Sequence, residues 1–212
     1  MHKWYSWFWY SFLCCNLKCV FCQNHQISHE NFGKEITINR LSEIFIELQN
    51  QKVHNINLVS PTPYVPQIIE AIKIAKSNGL SVPIVYNTNS YENLETIKSL
   101  NGYIDIYLPD LKYFDDDVAI KYSNAKNYFN TASLAISEMV KQIGQAKFDE
   151  HGVMKKGVIV RHLIIPGQIL QTKRILNWIK QNLPKDTYIS IMAQYFPTYK
   201  AKDFPEINHK IT

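Results

Sequence analysis

The sequence predicts an α/β fold in which six parallel strands alternate with helices and curl into a full or partial (βα)6 barrel. Three observations carry that expectation. Short runs rich in β-branched and aromatic residues recur along the chain, as strands do. Between them apolar residues fall at helical spacing, and such alternation, joined by right-handed crossovers, builds parallel βα units. Each run also ends in polar residues or prolines, and barrels of this kind collect their active sites at the carboxyl ends of the strands.

Taken in order, Trp7 to Leu13 reads as the first strand and runs straight into a cysteine-rich loop. Asn24 to Glu35 is a polar connection. Ile38, Leu41, Ile44, Phe45 and Leu48 then share one helical face. Ile56 to Val59 is a short strand stopped at Ser60-Pro61-Thr62-Pro63, since proline cannot donate to a ladder. Val65, Ile68, Ile69, Ile72 and Ala75 mark a second helix, closed by Asn78-Gly79. Pro83 to Tyr86 is the third strand, ending at Asn87-Thr88-Asn89, and a short helix around Leu94 and Ile97 breaks at Asn101-Gly102. Tyr103 to Leu108 is the fourth strand, before Pro109-Asp110-Leu111-Lys112.

A longer helical region from about Asp115 to Ile143 is split at Ser123-Asn124. Asp115-Asp116-Asp117 resembles a metal site but reads better as a helix start, where carboxylates complement the dipole. Lys147 to Gly157 is a polar excursion with a hairpin turn at His151-Gly152. Val158 to Ile165 is the fifth strand, stopped by Pro166-Gly167. Ile175, Leu176, Ile179 and Leu183 form the next helix, and Tyr188 to Met192 is the sixth strand, leading to Gln194-Tyr195. The tail after Pro197 has weak periodicity. No internal repeat, low-complexity segment or linker interrupts the chain, so a single domain over 1–212 is expected.

With 46% hydrophobic and 19% charged residues the chain is globular rather than disordered. The net charge of +5 comes from scattered lysines without a dense or aromatic-interleaved patch, which argues against nucleic acid and leaves room for an acidic protein partner. The aromatic start, Trp4 to Leu13, is far shorter than the roughly 20 apolar residues that span a bilayer, and no small-residue cleavage site follows it. A buried strand, no membrane association and a cytoplasmic location are expected.

All four cysteines, Cys14, Cys15, Cys19 and Cys22, lie within nine positions, too crowded for a disulfide framework and suited to metal binding in a reducing compartment. Three stand at C-x3-C-x2-C spacing. Three thiolates on a cubane iron–sulfur cluster leave one iron open to a ligand that is not protein. Zinc is open at this level too, since Cys19 and Cys22 with His25 and His29 form a knuckle-like pattern. The ferredoxin-like spacing Cys14, Cys19, Cys22 needs a remote fourth cysteine, and none exists. Polar candidates fall at the other strand ends: Ser60 and Thr62, Asn87 and Thr88, Asp110 and Lys112, Gln194, with Arg161 inside the fifth strand. His162 points to the opposite face of that strand from Arg161 and reads as packing.

The cysteine loop CNLKCVFCQNHQIS (15–28), with NINLVSPTPYVPQI (55–68), PIVYNTNSYE (83–92), DIYLPDLKY (105–113), RHLIIPG (161–167) and MAQYFPTYK (192–200), resembles the radical S-adenosylmethionine (SAM) superfamily. Within it the chain is most similar to the activase-like iron–sulfur branch of the pyruvate formate-lyase activating enzyme group. The resemblance implies a radical SAM fold, a partial TIM-type barrel. It implies a 4Fe–4S cluster on Cys15, Cys19 and Cys22 whose fourth iron is chelated by the amino and carboxylate groups of SAM. Reductive cleavage would yield a 5′-deoxyadenosyl radical that abstracts hydrogen from a substrate, inside an oxygen-sensitive oxidoreductase.

By the same resemblance Phe21 packs near the adenine, Lys112 suits the SAM carboxylate, and Asp110 suits a donor or cation. Arg161 and Gln194 match cofactor- or substrate-side positions. Relatives carry a Gly-Gly-Glu segment where this chain has Ser60-Pro61-Thr62, so Ser60 and Thr62 are the replacement candidates. Asn87 stands where the activating enzyme has an aspartate that helps hold a monovalent cation. Cys14 replaces a usual glycine in a turn that needs backbone freedom, and both ends are short against the relatives. The implied partners are a flavodoxin or ferredoxin as electron donor and a glycyl-radical enzyme or other protein substrate. The competing reading is a non-catalytic iron–sulfur or zinc-binding interaction module.

Overall fold

The computed structural model describes residues 8–12, 14–30 and 33–211. Trp7 and Leu13, the ends of the expected first strand, lie outside the described residues, as does the aromatic start up to Trp7. Among the described residues seven strands and seven α-helices follow in chain order: β1 Phe8–Ser11, α1 His25–His29, α2 Ile38–Asn50, β2 Ile56–Val59, α3 Val65–Ser77, β3 Ile84–Thr88 and α4 Leu94–Ser99. They continue with β4 Ile106–Pro109, α5 Asp116–Ser123, α6 Tyr128–Ile143, β5 Lys147–Phe148, β6 Met154–Leu163, α7 Ile169–Asn182 and β7 Tyr188–Met192.

The six expected strands are β1, β2, β3, β4, β6 and β7, and they pair in parallel in that order. The seventh, β5, runs antiparallel to the start of β6 as the outer arm of the hairpin around His151-Gly152. That hairpin carries β6 back to Met154, four residues before the expected start. Among the described residues β1 and β7 do not pair. The sheet is therefore an open, partial barrel with its strand carboxyl ends on one side.

Local chemistry explains the element boundaries. The Thr37 side chain accepts from the Arg40 amide (3.1 Å) and caps α2, while Leu41, Phe45 and Leu48 bury one stripe. In α3 the stripe is Val65, Ile68, Ala71, Ile72 and Ala75, with Pro66 in the first turn and Gly79 at φ +90° beyond the end. Asn124, at φ +52°, ends α5 in the left-handed conformation and splits the long helical region where expected. Asp116 opens α5, but its carboxylate caps α6, accepting from the Asn127 (2.9 Å) and Tyr128 (3.1 Å) amides. Asp115 pairs with Arg174.

The segment expected as a polar connection contains the short helix α1, and α7 starts at Ile169, well before the apolar stripe that announces it. One continuous core runs from Leu17 through the sheet to Ile207, joining the tail to the barrel. No helix among the described residues is long and apolar enough to cross a membrane.

Ile72 is fully buried in that core. Ile72→Ala should cost about 2–5 kcal/mol in denaturant unfolding of the purified protein; a loss under about 1 kcal/mol would mean that α3 is not packed on the sheet as described.

Candidate active site

The cysteine loop is fastened from three directions. The Cys15 amide donates to the Ser28 carbonyl (3.3 Å), the Lys18 amide to the Ser123 carbonyl (3.0 Å), and the Val20 amide to the Tyr122 carbonyl (2.9 Å). The tail adds the Lys200 amide on the Val20 carbonyl (2.9 Å). Leu17 is buried beneath the loop, and Phe21 packs edge-on against Tyr195 with ring centroids 5.6 Å apart. Cys14 sits at φ +63°, a left-handed position that glycine occupies without strain.

Each of the three spaced sulfurs has a polar neighbour. The Asn89 amide nitrogen donates to Cys15 Sγ (3.3 Å) and the Ser123 hydroxyl to Cys19 Sγ (2.9 Å). Cys22 is approached by the Asn24 backbone amide and the Ser28 side chain. Burial pushes the Cys19 thiol up to about 11 against the opposing pull of Lys112, and burial also raises Cys22. His25 and His29 stack on Tyr199 at 4.6 and 5.5 Å. Among the described residues no three Cys, His, Asp or Glu side chains stand close enough to share a single metal ion, and this holds for Cys15, Cys19 and Cys22 as it does for the knuckle of Cys19, Cys22, His25 and His29.

Strand ends complete the site. A cavity of about 260 Å³ is lined by Cys15, Cys19, Phe21 and Cys22, by Ser60 after β2, by Asn87 and Thr88 of β3, by Asp110 and Lys112 after β4, by Arg161 of β6 and by Gln194 after β7. At its floor Asp110 lies 2.6 Å from Lys112 Nζ and 2.6 Å from Arg161 Nη2. These side chains are 15%, 17% and 20% exposed. Arg161 Nη2 aims its hydrogen bond at Asn87 Oδ1 (2.6 Å), so Asp110 Oδ1 has charge beside it but no aligned donor. Burial acts to raise the Asp110 pKa, and Lys112 and Arg161 together outweigh it, holding the carboxyl below its ordinary range. For Lys112 burial is likewise outweighed, by Asp110 and Cys19, and its pKa is raised.

The backbone locks this cluster in place. The Asp110 amide donates to the Thr88 carbonyl (2.9 Å) and the Leu111 amide to the Arg161 carbonyl (2.8 Å), stitching β3, β4 and β6 beyond their regular pairing. The buried Tyr128 hydroxyl accepts from the Lys112 amide (3.0 Å) and lies within donating distance of the Asn89 (2.8 Å) and Asp110 (2.9 Å) carbonyls.

Thr62 is placed elsewhere. Its hydroxyl donates to buried Glu92 (2.8 Å), which also receives Thr88 (2.5 Å) and Tyr86 (3.0 Å), so Thr62 is not among the cavity residues and Thr88 turns its hydroxyl away from them. Ser60 reaches the cavity through a left-handed turn (φ +54°), its amide held by the Asn87 carbonyl (2.9 Å). His162 is buried on the other face, between the Leu111 carbonyl (2.6 Å) and Thr172 (2.9 Å), as its strand parity implied. Sequence reasoning passed over Asn89, Ser123, Tyr128 and Glu92. Asn89 was signalled by its place at the end of β3; the partner of Ser123 lies 104 residues away and left no local sign.

Residues 9–179 match the model of the Radical SAM superfamily, and the chain belongs to it. It is 33% identical over 212 aligned residues to the uncharacterized protein MJ0674 of Methanocaldococcus jannaschii, covering 95% of this chain and 57% of that one. The chain thus spans little more than half of that relative. Among solved structures, methylornithine synthase (PylB) superposes at TM-score 0.63 with 15% identity over 96% of this chain and 58% of its own. Streptococcus suis SuiB bound to S-adenosylmethionine superposes at TM-score 0.62 with 14% identity over 96% and 43%.

Members of this superfamily use a 4Fe–4S cluster and SAM, and the residues present fit both groups. Three sulfurs face one cavity with hydrogen-bond donors beside them, and the same cavity is lined by two cations paired with one carboxylate.

The folded pKa of Asp110 lies below its unfolded value. The carboxylate's contribution to stability is therefore complete above the ordinary carboxylate range and is lost as pH falls through the folded value. Asp110→Asn leaves two buried cations without their anion and should cost about 3–5 kcal/mol at neutral pH. The gap to the parent should narrow in acid; a loss of equal size at neutral and strongly acid pH would contradict the ionic account.

Proposed function

We propose that this chain is a radical SAM enzyme that cleaves SAM reductively and abstracts a hydrogen atom from its substrate. The observation that carries the reading is the meeting of Cys15, Cys19 and Cys22 with Asp110, Lys112 and Arg161 in one cavity. When bound, the cluster and SAM supply a 5′-deoxyadenosyl radical. The protein's part is to hold both groups and keep water away.

In this reading Cys15, Cys19 and Cys22 hold the cluster. Lys112 offers its ammonium to the SAM carboxylate, and Asp110 Oδ1, lacking an aligned donor, receives a polar hydrogen of the cofactor. Arg161 stays tied to Asn87 and Asp110 and keeps that carboxylate ionised. Asn87, occupied by Arg161, takes the place of a cation-binding group, so a monovalent cation is not part of the reading. Ser60, Thr88 and Gln194 line the remaining walls and Phe21 the adenine side. Thr62 acts through Glu92 on the same wall rather than on the cofactor.

The finer reading is a glycyl-radical enzyme activase, which rests on the resemblance of the matched stretches to the pyruvate formate-lyase activating enzyme group. An acidic flavodoxin or ferredoxin suits the +5 charge as electron donor. A single domain over 1–212 is part of this reading, supported by the continuous core that the described residues share from Leu17 to Ile207.

Anaerobic reconstitution tests the reading. The protein should take up about four irons per chain and release 5′-deoxyadenosine from SAM on reduction, and Cys19→Ala should lose both. One zinc per chain with no nucleoside product would instead support an interaction module. A glycyl radical seen by electron paramagnetic resonance on a co-expressed partner, and absent without this protein, would establish the activase.

A further inference from the structure

Besides Ser28 near Cys22, two buried side chains outside the ligand set hydrogen-bond to the ligand sulfurs. Ser123, at the end of α5, is fully buried; its carbonyl anchors the Lys18 amide (3.0 Å) and its hydroxyl donates to Cys19 Sγ (2.9 Å). The Tyr113 hydroxyl, 2.6 Å away and buried, is the remaining partner of that oxygen. With Tyr113 donating to Ser123, the only hydrogen Ser123 carries is directed at sulfur.

Asn89 stands at the end of β3 and is 8% exposed. Its amide nitrogen donates to Cys15 Sγ (3.3 Å) and to Asn16 Oδ1 (2.7 Å), while its own Oδ1 accepts from the Tyr91 amide (2.8 Å). That second bond fixes which end of the amide faces the sulfur. Asn16 closes the loop by donating to the Tyr91 carbonyl (2.5 Å).

We infer that Ser123 and Asn89 are positioning residues that set the reduction potential of the cluster, an inference that rests on the cluster assignment proposed above. Hydrogen bonds to the sulfurs are one of the protein's levers on that potential. A neutral donor at a ligand sulfur stabilises the more negative, reduced cluster over the oxidised one. Ser123 is not among the residues that line the cavity, and Asn89 lines it beside Cys15, directing its amide at the sulfur. Their contribution is to electron acceptance, and they bring it from α5 and β3, two elements otherwise occupied with the barrel wall.

The test compares the reconstituted parent with Ser123→Ala, Ser123→Thr and Asn89→Ala. Iron content is measured first, then the potential by redox titration followed by electron paramagnetic resonance. Ser123→Ala and Asn89→Ala should each make reduction about tenfold less favourable, about 59 mV to lower potential for a one-electron couple. Ser123→Thr keeps the hydroxyl and should stay near the parent. Parent-like potentials in both alanine variants with full iron would overturn the inference while leaving the cluster itself established. A parent that takes up no iron would instead defeat the cluster assignment and the inference with it. Should Ser123→Ala lose its cluster, the threonine variant decides: full iron at the parent potential supports the role of the hydroxyl, and loss there too marks the position as merely structural.

Discussion

The arrangement depends on one buried carboxylate. Asp110 stands at the end of β4 with Lys112 on one side and Arg161 on the other, and its backbone is bonded to β3 while the next residue is bonded to β6. An ion taken out of water costs several kcal/mol, and attraction repays this only where the geometry is good. Here two cations share one anion, so the anion is held ionised while positive charge remains in excess at the cavity floor. A cluster of this kind is weak evidence for stability but strong evidence for placement. It fixes the Lys112 ammonium and sets Asp110 Oδ1 against the Arg161 guanidinium at 2.6 Å, in the cavity that the three cysteines also line.

That excess charge has a counterpart in the cysteine loop. Burial raises the Cys19 and Cys22 thiols above their ordinary range. Metal ligands must be thiolates, so under the proposed cluster assignment loading the loop would release protons and place negative sulfurs beside Lys112. The two halves of the site are complementary only when the loop is loaded. The same reasoning explains the donors beside each sulfur, which are poorly used by neutral thiols and well used by thiolates.

Much of the barrel was legible because its strands and helices differ in period. β2 and β7 fall at the expected residues, and the break at Asn124 follows from local turn chemistry. Residues with no periodic signature were read less well. Helix α1 is a single short turn with few apolar residues, and β6 gains Met154 to Lys156 from pairing with β5, a contact local pattern does not display. For the site, strand-end position was a good guide to Ser60, Asn87, Asp110, Lys112 and Gln194, because a parallel barrel brings all strand ends together. It misplaced Thr62, whose hydroxyl is taken by Glu92 from 30 residues further on. Ser123 was overlooked because its partner, Cys19, lies 104 residues away, whereas Asn89 stood at a strand end and could have been included.

Under the proposed function SAM meets the cluster in this cavity, with Lys112 and Asp110 orienting it. The most direct measurement is the electron paramagnetic resonance spectrum of the reconstituted, reduced protein with and without SAM. Coordination at an open iron changes that iron's surroundings, so the account predicts a changed signal on SAM addition, and the same signal with and without SAM in Lys112→Ala. An unchanged signal in the parent protein at saturating SAM would contradict it.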